Sequence, residues 1–320
     1  MHWFANSNLF DLARRGQRLT HIAAVVPLSL AIPFVSQFAA IPVVVALLIR
    51  FGDLHTASTL IGVPALEAGF WMSLELITSF AMIYVMLWLW LYFFEKRPFW
   101  TLGYEWKNTA LQYGRGLLIG AAMFAGAVAV LALFGSVEVE RGDPSNQGVA
   151  ALGGVMLVLI GWVVQGGAEE ALMRGWVLPV IGARARPWIG LLVSSALFAA
   201  LHLLNPGLNF IAIINLVLFG AFAGLYAMRE GSLWGISALH TVWNWVQGNF
   251  FGFQVSGMNA SGGTIFNFME TGPDWLTGGL FGPEGGLAVS AVLLTSIALT
   301  VLWPARSSTE TEPESSPSPR

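Results

Sequence analysis

The sequence predicts an all-α, polytopic membrane protein of about eight transmembrane helices, and three observations carry that expectation. The 320 residues are 56% hydrophobic and only 10% charged, whereas soluble domains carry about 25% charge. Mean hydropathy is +0.68. Apolar runs of about 20 residues, long enough to cross ~30 Å of hydrocarbon as helices, recur along most of the chain. The net charge of −3 argues against a nucleic-acid partner. The absence of cysteine excludes disulfides, thiolate catalysis and cysteine-ligated metals.

The elements follow in order. Residues 1–20 hold Trp3, Phe4, Leu9, Phe10 and Leu12 with Arg14, Arg15 and Arg18, the pattern of a short interfacial helix. The apolar run behind it is too long for a signal-peptide core, so it reads as a retained first span. Spans are expected at 21–49, 68–94, 110–134, 150–182, 187–204, 208–228, 232–250 and 285–303. Pro27, Pro33 and Pro42 interrupt the first and predict a kinked or tilted helix. The tail at 305–320 is rich in Pro, Ser and Glu and is expected to be disordered.

With the N-terminus in the cytoplasm, all of the 15 Lys and Arg except Arg50 and Arg141 fall on or toward the cytoplasmic side. The expected location is therefore a bacterial cytoplasmic membrane, with both termini cytoplasmic and Gly-rich outer loops at 135–149 and 251–284. The partner expected from these spans is the lipid bilayer.

Charge within an apolar span costs at least ~2.5 kcal/mol per group on insertion scales, so the charges the spans retain point to function. In GGAEEALMRGW, Glu170 and Arg174 stand four apart in the favourable order for a helical ion pair. Glu169 points elsewhere, has no partner in its own helix, and is the candidate general base. Gly166 and Gly167 allow another backbone close. In ALFAALHLLNPG, Phe198 and His202 share a face, and in LWGISALHTVWNW so do His240 and Asn244. Glu169 and His202 stand nearly equally far from the turn near Arg186, both roughly 25 Å along antiparallel neighbours, so they can touch. His240 comes out several ångströms shallower. Glu75, inside WMSLELITSF, either faces the cavity as a substrate or structural partner or forms an internal ion pair, and the ion pair is the favoured reading.

Three chemistries fit one glutamate, two histidines and an asparagine. In hydrolysis, Glu169 and His202 activate water while His240 and Asn244 donate to an oxyanion. In a zinc site, Glu169, His202 and His240 are the ligands and the fourth position is open. The third is a proton or ion pathway.

The motifs E-E-x-x-x-R (Glu169, Glu170, Arg174), F-x-x-x-H (Phe198, His202) and H-x-x-x-N (His240, Asn244) occur in this order on three apolar helices. With EKRPFWTLGY ahead of them, the chain over about 95–250 resembles the CPBP family, the CAAX prenyl endopeptidases and their bacterial Abi or bacteriocin-processing relatives. The resemblance implies a CAAX-protease-like catalytic core at 95–250. Two N-terminal spans (21–94) would precede it, and an outer loop with a last span (251–304) would follow. It implies an intramembrane endopeptidase acting on a membrane-associated substrate, lipidated CAAX-type peptides among them. Glu169, His202, His240 and Asn244 would be catalytic, with Glu170, Arg174 and Phe198 supporting. A metal-free, glutamic-type mechanism without a cofactor is favoured, with zinc as the alternative. The competing readings are a catalytically silent scaffold or immunity-type protein of the same family, and a proton-coupled transporter.

Overall fold

A computed structural model describes residues 2–51 and 63–302 of the protein. The expected tail at 305–320, with Arg306 and Arg320, lies outside those residues. The chain is helical almost throughout: α1 (Asn8–Arg14), α2 (Ile22–Phe51), α3 (Pro64–Trp90), α4 (Thr109–Leu133), α5 (Leu152–Glu170), α6 (Leu178–Arg184), α7 (Pro187–Leu201), α8 (Phe210–Glu230), α9 (Trp234–Trp245) and α10 (Leu287–Leu302). Two short strands, β1 (Val137–Val139) and β2 (Phe268–Glu270), pair antiparallel with Val137 opposite Glu270.

Local sequence sets the breaks. Pro64 and Pro187 stand at first helical positions, where a missing N–H costs nothing. Asn209 caps α8 by accepting from Ala212 N at 2.8 Å, and Gly231 ends it with φ +68°. Between α5 and α6 the helix widens into a π-helical stretch at Ala171–Val177, so residues 152–184 form one long rod. A second π stretch, Val246–Phe251, extends α9.

The protein is a polytopic helical membrane protein. Among the described residues five stretches are long and apolar enough to cross a membrane: Ile22–Arg50, Pro64–Glu95, Thr109–Leu133, Gly148–Arg184 and Phe210–Glu230. Each of the eight expected runs contains a helix, and three of these lie outside the five. Pro187–Leu201 and Leu287–Leu302 are shorter apolar helices. The helix of α9 carries Ser237, His240, Thr241 and Asn244, all buried, so protein rather than lipid surrounds it.

The interfacial reading of residues 1–20 is corrected in one respect. Leu9, Phe10, Leu12 and Ala13 of α1 are buried in the protein itself, with Phe10 packed in the space left by Gly182. Arg14, Arg15 and Arg18 remain exposed. This helix belongs to a cluster at one end of the bundle. There Asn8 donates to Glu105 and to the Gly231 carbonyl, Arg184 bonds the Leu19 carbonyl, and Leu233 N donates to Gly103 O. The paired strands, and the loop between Gly252 and Gly286, lie at the other end.

Helices α3 and α5 run side by side in parallel: Gly69 meets Gly154, Ser73 Oγ donates to Leu157 O at 2.8 Å, and Tyr84 reaches Gly167. On the far face of α5, Gly166 is what lets α9 approach. A side chain there would place its first carbon 2.9 Å from Thr241 N, closer than van der Waals contact allows. These two contacts lock α5 between α3 and α9, with the acidic pair at their shared level.

Candidate active site

The acidic pair of α5 divides its work between two faces. Glu170 Oε1 accepts from Arg174 Nη1 at 3.0 Å and lies 2.8 Å from His240 Nδ1. Glu170 and Arg174 have side chains fully shielded by protein. The Arg174 guanidinium lies over the Phe198 ring, 4.6 Å from its centroid, and its Nη2 reaches the Gly220 carbonyl. The expected structural pair is therefore present, and it has a third member. Because a carboxylate only accepts, His240 must carry a proton on Nδ1. That leaves Nε2 aimed at Glu169, 3.9 Å from its Oε2.

Glu169 is not without a partner in its own helix, as the sequence reading had it. Gln165, one turn earlier, donates to Oε1 at 2.7 Å, and its own carbonyl oxygen accepts from Asn244 Nδ2 at 2.9 Å. A chain of amides thus joins the two candidate residues. Glu169 Oε2 is buried and makes no hydrogen bond. Gln165 was missed because a lone glutamine in an apolar run reads as tolerated polarity. Its signal was the spacing of four from Glu169.

His202 stands just past the last turn of α7. Its Nδ1 lies 2.8 Å from the Phe198 carbonyl, which again fixes the proton on Nδ1 and leaves Nε2 open. The rings of Phe198 and His202 are 4.8 Å apart between centroids, and Phe219 packs against His240 at 5.0 Å. No hydrogen bond or ion pair joins Glu169 to His202 among the described residues. The contact expected from their equal distance to the turn is absent, although both line one cavity.

The depth discrepancy of His240 has a geometric cause. The turn before α9 does not sit level with the turn before α7. Leu233 packs at Gly175, so residues beyond 175 project past it. Counting from that level, His240 and Glu169 lie about seven and six residues up, both roughly 10 Å.

The cavity has a volume of about 360 Å³. Its walls bring together Gln165, Glu169, Phe198, His202, His240 and Asn244, but they extend beyond the motif-bearing helices. Met72, Glu75, Leu76, Ser79 and Phe80 of α3 line one side, and Val255, Ser256 and Met258 to Ser261 roof it. Glu284 fastens that roof. Its carboxylate accepts from Trp243 Nε1 at 2.9 Å and from Ser256 N and Oγ, both at 2.8 Å. Nothing in a Gly-rich loop announces such a role. The ion pair expected for Glu75 is not formed among the described residues. Its side chain is exposed and faces the cavity.

A zinc site would need Glu169, His202 and His240 to converge. Among the described residues, no group of three His, Asp or Glu side chains converges so as to hold a metal ion.

Residues 151–246 match the family model of Rce1-like type II CAAX prenyl endopeptidases. That segment, under half of the chain, is similar to the Rce1-like family. The matched segment runs from the start of α5 to the end of α9, and all three motifs fall inside it. This is the family that the sequence motifs resemble. No curated protein and no solved structure matches the chain. The membrane-crossing helices make this an integral membrane protein, and residues 151–246 are its segment similar to a protease family.

Proposed function

We propose that this protein is an intramembrane endopeptidase of glutamic type, cutting a membrane-associated peptide. The observation that carries the reading is the gap between Glu169 Oε2 and His240 Nε2. At 3.9 Å it is too long for a hydrogen bond, and a water beside the pair can reach both atoms. Glu169 takes a proton from that water as its oxygen attacks the peptide carbonyl carbon. The carbonyl π electrons move to oxygen. Asn244, with one amide hydrogen spent on Gln165, offers the other to the oxyanion, and His240 in its imidazolium form donates from Nε2. Collapse restores the carbonyl and expels the amine, which takes the proton from Glu169 directly or through His202 Nε2. No metal enters these steps.

Basic residues cluster at the end that holds α1, the 95–108 linker and the turns at 184–187 and 229–233, which favours that end as cytoplasmic. A bacterial cytoplasmic membrane with both termini inside fits this charge pattern. The catalytic core would be 95–250, completed by the roof from 251–286.

The test compares protein termini in cells making the wild type and Glu169→Gln at equal levels. Ends present only with the wild type establish the peptidase. Identical termini, with both proteins inserted and abundant, favour the silent scaffold. Cleavage by purified wild type that survives chelation supports the metal-free mechanism, and its loss with recovery on added zinc overturns it.

A further inference from the structure

One carboxylate of the cavity has no part in the hydrolytic scheme or in its framework. Three carboxylates line the cavity, Glu75, Glu169 and Glu284, and no lysine or arginine does among the described residues. Glu284 is spent on Trp243 and Ser256, and Glu169 is held by Gln165. Glu75 makes no side-chain hydrogen bond or ion pair among the described residues. It sits mid-way along α3, on the face formed by residues 72, 75, 76, 79 and 80, at the spacing of one helical stripe. It is the one charge on that stripe, and Gln37 of α2, also exposed, lines the same cavity beside this wall. An unpaired carboxylate at bilayer depth is costly, and a cationic ligand is what would offset the cost.

From this we propose that Glu75 is a specificity residue, which receives a lysine or arginine side chain of the substrate. The proposal rests on the peptidase reading for its substrate but not for its binding test. Position defines the subsite further. With Ser73 level with Leu157 and Tyr84 level with Gly167, Glu169 lies about ten residues along α3 from Glu75, or ~15 Å. An extended peptide advances ~3.3 Å per residue, so the cationic side chain stands about four residues from the scissile bond. The same wall repels a free C-terminal carboxylate lodged at that subsite. The preferred substrate there is therefore a basic position within a chain rather than its acidic end.

The test separates binding from cutting. Full-length Glu169→Gln in detergent is titrated with fluorescent apolar peptides of about 20 residues that carry Lys, norleucine or Glu at one position. The Lys peptide is expected to bind about tenfold tighter than the norleucine peptide. The preference collapses in the Glu75→Gln double variant and reverses toward the Glu peptide with Glu75→Lys. A reversal cannot come from misfolding. Equal binding of Lys and norleucine peptides, or a preference unchanged by Glu75→Lys, overturns the proposal. Wild type is then given the same peptides. Binding with the Lys preference but without cleavage overturns the peptidase reading and leaves the cation subsite standing.

Discussion

His240 Nδ1 lies 2.8 Å from Glu170 Oε1, and that contact decides which face of the imidazole the cavity sees. The second acidic residue of the pair is thus an orienting group as well as half of a salt bridge. Its role resembles that of a buried carboxylate that holds a histidine in one tautomer.

Glu170→Gln should therefore cut the turnover rate by roughly two to four orders of magnitude while the protein still inserts. The amide removes the negative charge that holds the proton on Nδ1 and stabilises the imidazolium that donates from Nε2. The check is a pH–rate profile beside a thermal melt. A variant that melts normally, with an unchanged rate and profile, would show that the contact is idle.

Arg174→Ala should lower folded yield, because it removes the guanidinium paired with a fully shielded carboxylate. Breaking a buried pair this way costs about 3–5 kcal/mol. Normal yield and melting temperature would mean that His240 alone compensates Glu170. Arg174→Lys should recover only part of the loss, since an ammonium cannot both reach Glu170 and lie flat over Phe198.

Gln165→Leu should separate the two ends of the site. It breaks the amide link between Glu169 and Asn244 without removing either residue. A displacement of ~1 Å can cost about 100-fold in rate, and the expected loss is of that order. Melting should change little. An unaltered rate in the leucine variant would refute the positioning role.

Outside the membrane-spanning helices, burial pushes Glu270 from 4.5 up to about 7, and its Oε1 makes no hydrogen bond. The folded form therefore holds a proton that the unfolded chain releases between those values. This contribution to stability is full below about pH 4.5 and is lost as pH rises through about 7. Glu270→Gln should raise the melting temperature at pH 8 and leave it unchanged at pH 4. Parallel melting curves for the two proteins from pH 4 to 8 would refute this.

The legible part of the site was the part written at helical spacing. Glu170 and Arg174 pair as their separation of four demands, and the Phe198 ring packs against His202 for the same reason. Illegible were the contacts between helices. His240 bonds Glu170 across 70 residues, and only the staggered turns bring them level. The burial of Leu9 and Phe10 was hidden because an amphipathic stretch looks the same whether lipid or protein covers it. Hydropathy found each helix of the bundle, but it did not show that α9 is polar inside a protein coat.

The roof fastened by Glu284 has a consequence for traffic. A peptide arriving from water above the roof would have to part the hydrogen bonds to Trp243 and Ser256 at each visit, at a net cost of about 1 kcal/mol apiece. A peptide arriving sideways, past Gln37 and Glu75, parts none of them. The proposed peptidase should then sample the two-dimensional solution of chains already dissolved in lipid. Its effective substrate concentration is counted per area of membrane, and rates should fall when the same peptides are diluted with added lipid at fixed volume.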